Sequence, residues 1–322
     1  MTSPSTPSSP SAPSPSSSPS AAAPEPAALP ESAVFLVSGA SRGLGREIVR
    51  AAAEAGHRVV AGVRSPDALA DLTEHYGDRF AAVPLDVTDD AQVRAAVRTA
   101  VDRFGRLDVL VNNAGYANVA AAEDTAFDDF RAQIDTNLLG VVRLTQAALP
   151  VLREQRSGHI VQVSSVGGRL ATPGLAAYQS AKWAVGGFSS VLAAEVAPLG
   201  IKVTVLEPGG MSTDWAGSSM RIAPVRPEYR ATVGVMAERH GSGAVTSASD
   251  PAKVARLLLE VVAMPEPPLR LLVGTDAFRY ATAAGRALLA SDEEHRELSE
   301  STAADGATAA ELDPLGHGPQ HA

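Results

Sequence analysis

The chain contains no cysteine in 322 residues. That absence excludes disulfides and thiolate metal centres, and the seven histidines are scattered without metal-ligand spacing. There is no cluster of basic residues, and the formal net charge is −9. Neither feature suits nucleic acid or an anionic membrane as the main partner. No apolar run approaches the ~20 residues that a membrane-spanning helix needs. No basic residue precedes Arg42, so the pattern of a secretory signal is missing. The expectation is a soluble, cytoplasmic protein without a metal. Lysine is scarce as well, with 3 residues against 24 arginines.

Residues 1–32 are dominated by Ser, Pro and Ala, too polar and too rich in proline to offset chain entropy by burial. They read as a disordered leader, and 301–322 as a disordered tail. The stretch between, 33–300, has the size of one domain. It alternates short β-branched runs with longer amphipathic segments. VFLVS (34–38), RVVAGV (58–63), AAVPL (81–85), LDVLVNN (107–113), HIVQVSS (159–165), IKVTVLEPG (201–209) and LRLLVG (269–274) read as strands. Helices are expected over Leu44–Ala55, from a cap at Thr88 or Asp89 to Phe104, over Phe127–Leu152 and over Tyr178–Ala197. Strands separated by helices imply parallel pairing through right-handed crossovers. The predicted fold is α/β: a Rossmann-type, doubly wound parallel sheet of about seven strands with helices on both faces. Ligands of such sheets bind beyond the strand C-termini, at the switch point.

VSGASRGLGREI (37–48) follows the first strand and opens the first helix. Gly39, Gly43 and Gly45 allow tight turns and close backbone approach, and the helix N-terminus faces an anion such as a pyrophosphate. The same spacing also suits a plain turn between strand and helix. Sites for NAD usually carry an acid after the second strand, to hold the ribose 2′-hydroxyl. This chain has Arg64 there, and Arg42 inside the glycine loop. Guanidinium groups suit a 2′-phosphate, so NADP(H) is expected over NAD(H). Asp67 is the rival acid, and its place after Pro66 fits a turn or a cap. Asp86 ends the third strand and either accepts from an adenine amino group or caps the next helix. Asn113, Ala114 and Gly115, in NNAG, are small enough to let backbone approach a ligand.

Tyr178 and Lys182 lie one helical turn apart and so share a face. An ammonium beside a phenol is expected to lower the tyrosine pKa and make it a general acid/base. A compact ammonium also reaches a ribose hydroxyl. Ser165 ends the fifth strand and is placed to bind the same substrate oxygen. Ser164 competes, and alternation along a strand lets only one of the two face the site. Asn137, in mid-helix, calls for either a bound water or backbone partners.

Together SGASRGLG, NNAG, Asn137, the Ser165–Tyr178–Lys182 spacing and EPGGMSTDW (207–215) resemble the classical short-chain dehydrogenases/reductases, over nearly all of 34–298. EPGGMSTDWAGSSM looks closest to the steroid-dehydrogenase-like branch. The resemblance implies an NADP(H)-dependent oxidoreductase that interconverts a carbonyl and a secondary alcohol. Tyr178 would transfer the proton, Lys182 would lower its pKa and bind the nicotinamide ribose, and Ser165 would polarise the substrate oxygen. Asn137 would hold a relay water. Gly39, Ser41, Arg42, Gly43, Leu44 and Gly45 would cradle the phosphates, and Asp86 and Val87 would flank adenine. Pro208, Gly209, Met211 and Thr213 would cover the nicotinamide. Departures are small: Ser38 stands where Thr is usual, and Gln162 and Gln179 replace other polar residues. A Gly/Ser-rich lid is expected over about 215–246. Tyr116, Trp183 and Trp215 are candidates for lining an apolar pocket, ordinary packing being the preferred reading of Trp183. The substrate is expected to be a hydrophobic small molecule and the protein a homo-dimer or homo-tetramer, joined through the helices that begin near Phe127 and Tyr178. A non-catalytic NADP(H) sensor should lack Tyr178 or Lys182, and a cofactor-independent enzyme on this scaffold should have a spoiled glycine loop.

Overall fold

The computed structural model describes residues 29–211, 220–241 and 249–314. Seven strands form one parallel sheet in the order β3-β2-β1-β4-β5-β6-β7. They are β1 (Val34–Ser38), β2 (Arg58–Val63), β3 (Phe80–Pro84), β4 (Val109–Asn112), β5 (Gly158–Val163), β6 (Ile201–Pro208) and β7 (Arg270–Val273). The chain winds outward from β1 to β3, then returns to β4 and winds the other way. The switch point therefore lies between the C-terminal ends of β1 and β4, which are paired through Leu36 and Leu110.

Side-chain alternation sorts the helices. Phe35, Val37, Val59, Ala61, Val109, Val111 and Val161 pack beneath α1 (Gly43–Glu54), α2 (Ala70–Tyr76) and α8 (Pro251–Ala263). Val34, Leu36, Val60, Leu110 and Ile160 face α3 (Asp90–Phe104), α5 (Gly140–Gln155) and α6 (Ala176–Val196). Period-two burial on both faces is what a doubly covered sheet requires. Pro84 sits at the end of edge strand β3, where its missing N–H breaks no inner ladder.

The helix expected over Phe127–Leu152 is interrupted. It comprises α4 (Phe127–Ile134), a π turn over Asp135–Leu139, and α5. Asn137 lies at the centre of that turn, and such π turns gather at functional sites. Asp89, not Thr88, caps α3 by accepting from Ala91 and Gln92 N–H. A short α7 (Val235–Gly241) precedes α8. After β7 come α9 (Thr275–Glu294), α10 (Arg296–Glu300) and α11 (Ala309–Leu312). Within 301–314 that last single turn, closed by a Thr308–Glu311 capping box, is the one helix, and no residue there is buried. Among the described residues, no helix is long and apolar enough to cross a membrane.

Candidate active site

The loop leaving β1 turns at Gly39, whose φ is +68° and whose Cβ would lie 2.8 Å from Ala114 Cα. A Cβ on Gly45 would lie 2.3 Å from Gly39 O and 2.5 Å from Asn113 Nδ2. Both glycines are therefore required by close backbone packing. Ser38 Oγ joins the two strand ends. It donates to Val111 O (3.4 Å) and accepts from the N–H groups of Asn113 (3.0 Å) and Ala114 (3.1 Å). Asn113 Nδ2 in turn donates to the carbonyls of Ser38 and Gly39. The hydroxyl that replaces threonine thus performs the bracing.

No side chain caps the N-terminus of α1, and its first turn carries no acid. Ser41 and Arg42 at its start are exposed, and Leu44 is buried in the core. Arg64, also exposed, follows β2, which adjoins β1. An uncapped helix N-terminus, a tight glycine turn and two guanidinium groups fit a dinucleotide phosphate. Asp86 Oδ1 accepts from the N–H (2.9 Å) and hydroxyl (2.7 Å) of Thr88, so it closes a local turn and does not cap α3. Val87 is buried against Gly140 of α5. Asp67 is exposed in the first turn of a 3-10 helix, as a turn residue would be.

Ser165, Tyr178 and Lys182 meet beyond β4 and β5. Tyr178 and Lys182 are buried on α6, and Ser165 hydrogen-bonds the Tyr178 phenol. Ser165 Oγ also accepts from Gly167 N–H (3.0 Å). Ser164 points elsewhere, to the Lys182 carbonyl (3.3 Å). Lys182 Nζ donates to Val163 O (2.8 Å) and lies 5.6 Å from the Tyr178 ring centroid. The same Nζ lies 3.6 Å from where a Gly115 Cβ would be. Asn137, fully buried, binds Tyr116 twice: Oδ1 accepts from its N–H and Nδ2 donates to its carbonyl, both at 2.9 Å. Backbone partners, the second of the two alternatives for this residue, thus occupy the side chain.

The expected fall in the Tyr178 pKa does not hold in the protein alone. Burial pushes the phenol up to about 12, with the Ser165 hydrogen bond acting weakly the other way. Burial also pushes Lys182 down to about 8. Each charged form loses its hydration at this depth, and that loss is the largest cause of both shifts.

Beyond the phenol, Ala117, Val119, Ala121, Leu175, Met220 and Val233 form an apolar cluster with Tyr178. Val119 pairs with Ile222, which holds the described part of the expected lid against this cluster. Trp183 departs from ordinary packing, being half exposed on the far side of α6. Tyr116 is half-buried. Thr213, Trp215 and the lid segments 215–219 and 242–246 lie outside the described residues.

The loop after β6, expected to cover the nicotinamide, follows buried Pro208. A Cβ on Gly209 would lie 2.2 Å from Asp276 Oδ2, and Gly210 N–H donates to that oxygen (2.8 Å). Met211 pairs with Ser249. The role of Asp276 went unread in the sequence, as did that of Glu207. Glu207 is fully buried between Arg169 and Arg270. A lone carboxylate beside the apolar residues at the end of the strand IKVTVLEPG was the available signal.

A doubly wound parallel sheet with a tight glycine turn at its switch point, and a Ser–Tyr–Lys group beside it whose Tyr and Lys are buried, defines a dinucleotide-dependent oxidoreductase. The short chain dehydrogenase family model matches residues 33–221. The chain belongs to that family. It is 55% identical over 267 residues to oxidoreductase BOA17 of Botryotinia fuckeliana, covering 83% of this chain and 97% of the relative. A short-chain dehydrogenase from Streptomyces avermitilis superposes with a TM-score of 0.80 at 38% identity, over 84% of this chain and 98% of that one. An alcohol dehydrogenase from the archaeon Thermococcus sibiricus, solved with 5-hydroxy-NADP, has a TM-score of 0.63 at 26% identity, over 76% and 97%. The protein is thus an NAD(P)-dependent dehydrogenase/reductase acting on small molecules.

Proposed function

We propose that the protein interconverts a hydrophobic ketone and its secondary alcohol with NADP(H), using Tyr178 as general acid/base. The observation that carries this reading is the convergence of Ser165, Tyr178 and Lys182 on one apolar cleft beside the glycine turn. The bound dinucleotide supplies or accepts the hydride at its nicotinamide ring.

The chain does the rest. In reduction Tyr178, a neutral phenol at physiological pH, gives its proton to the carbonyl oxygen. Ser165 donates to the same oxygen and fixes its direction. Lys182 supplies positive charge that stabilises the resulting phenolate and reaches a ribose hydroxyl. Asn137 acts by clamping the Tyr116 backbone beside Gly115 and Lys182. Arg42 and Arg64 bind a 2′-phosphate, and the first turn of α1 binds the pyrophosphate. The complex of the Thermococcus sibiricus alcohol dehydrogenase with an NADP derivative is in line with that choice of cofactor.

Val119, Leu175, Met220 and Val233 exclude water and favour a substrate with aliphatic or aromatic groups next to the carbonyl. Phe127, Trp183 and Val191 are 71%, 50% and 61% exposed on α4 and α6. Apolar exposure of that kind supports assembly of the enzyme into a homo-oligomer through these helices.

Tyr178→Phe tests the reading. NADPH-dependent carbonyl reduction should fall by about 10²–10⁴, with NADPH affinity preserved. Retained turnover would remove Tyr178 from the mechanism.

A further inference from the structure

The carboxylate of Glu207 is fully buried, and each of its oxygens takes one arginine. Oε2 accepts from Arg169 Nε at 2.6 Å, and Oε1 from Arg270 Nε at 3.0 Å, with Arg270 Nη2 on the same oxygen. The three residues come from three parts of the site. Arg169 ends the 3-10 turn Val166–Gly168 that begins at Ser165. Glu207 directly precedes Pro208 and Gly209, the loop assigned to the nicotinamide. Arg270, on β7, lies under α6: a Cβ on Gly186 would sit 3.0 Å from its Nη2. Gly186 is one turn beyond Lys182 and two beyond Tyr178, on the same helix face.

Burying one carboxylate between two guanidinium groups is a poor way to gain stability, because desolvation offsets much of the attraction. Its geometric value is greater. Two forked, directional pairings fix three backbone segments relative to one another.

We propose that Arg169, Glu207 and Arg270 are positioning residues that hold the Ser165 turn, the Tyr178 helix and the Pro208–Gly209 loop in one register. Glu207 touches no reacting atom. It sets the distance between the group that orients the substrate and the loop that seats the nicotinamide. The proposal rests on the assignment of Ser165 and Tyr178 above.

The test uses full-length protein and two readouts that need no substrate. Amide hydrogen exchange reports segments 164–172 and 208–211, with 39–45 as reference. The fluorescence of bound NADPH reports how the nicotinamide is seated. Glu207→Gln should raise exchange about tenfold in both segments and leave 39–45 unchanged. It should bind NADPH within about twofold of wild type, because the phosphate cradle is elsewhere, yet alter the emission of the bound form. Arg169→Gln should loosen 164–172 alone, and Arg169→Lys should restore part of the protection. Both serve if Glu207→Gln fails to fold, since Arg169 is partly exposed. Unchanged exchange and emission, or loosening spread evenly with a fall in Tm, would overturn the proposal. Tyr178→Phe should keep wild-type exchange in both segments. An error in the acid/base assignment would therefore appear in its turnover and leave the exchange result standing.

Discussion

Lys182 lies 5.6 Å from the Tyr178 ring centroid, and neither side chain has appreciable contact with water. Burial moves the phenol up to about 12 and the ammonium down to about 8. At neutral pH both groups keep their protons, so Tyr178 is a neutral phenol with a proton to give to a carbonyl oxygen, beside the Lys182 ammonium.

Lys182 should therefore trade stability for function. Its folded pKa of about 8 lies below the ordinary 10.5. Between those values the unfolded chain holds a proton that the native protein lacks, so native stability rises with pH through that window. Below about pH 8 the buried ammonium bears its full desolvation cost. Lys182→Met abolishes this titration. Its stability relative to wild type should be more favourable at pH 7 than at pH 9.5 by about 2 kcal/mol. Urea denaturation at the two pH values checks this, and equal differences would contradict it.

The two neighbouring serines should separate cleanly. Ser165→Ala removes the partner of the Tyr178 phenol and should lower kcat/KM by about 10–100-fold. Ser164→Ala removes a long bond to the Lys182 carbonyl and should change kcat/KM by less than about threefold, at a stability cost of about 1 kcal/mol. Steady-state kinetics with thermal melts distinguish them.

Arg42→Ala and Arg64→Ala should each weaken NADPH binding about tenfold, equivalent to about 1.4 kcal/mol. NADH binding should stay within about twofold, since it carries no 2′-phosphate. Side-by-side fluorescence titrations measure both, and equal losses for the two cofactors would return these arginines to the solvated surface.

Two glycine substitutions bracket the packing argument. Gly45→Ala drives a methyl into Gly39 O and Asn113 Nδ2, and should cost about 1–3 kcal/mol and most of the cofactor affinity. Gly285→Ala, on the exposed face of α9, meets nothing within 4 Å and should stabilise by up to about 1 kcal/mol. Thermal melts and NADPH titration check both.

The strands were legible because their information is local. VFLVS and RVVAGV are buried runs, and β1 and β2 begin and end where those runs do. The glycine turn was legible because few other residues fit its backbone. The π turn at Asn137 was not, since a one-residue slip confined to a single turn does not stand out from the scatter of apolar positions along a helix. The raised Tyr178 pKa escaped because spacing reports a neighbouring charge and not the depth of burial. The Glu207 pairings escaped because Arg169 and Arg270 are 38 and 63 residues away in the chain.

The most direct measurement is isotopic. The enzyme is given NADPH deuterated at the transferable C4 position together with a panel of hydrophobic ketones, and the alcohol products are analysed by mass spectrometry. The account predicts a single deuterium at the carbinol carbon for wild type and almost no product for Tyr178→Phe. Alcohol formed without deuterium, or labelled alcohol formed equally well by Tyr178→Phe, would contradict it.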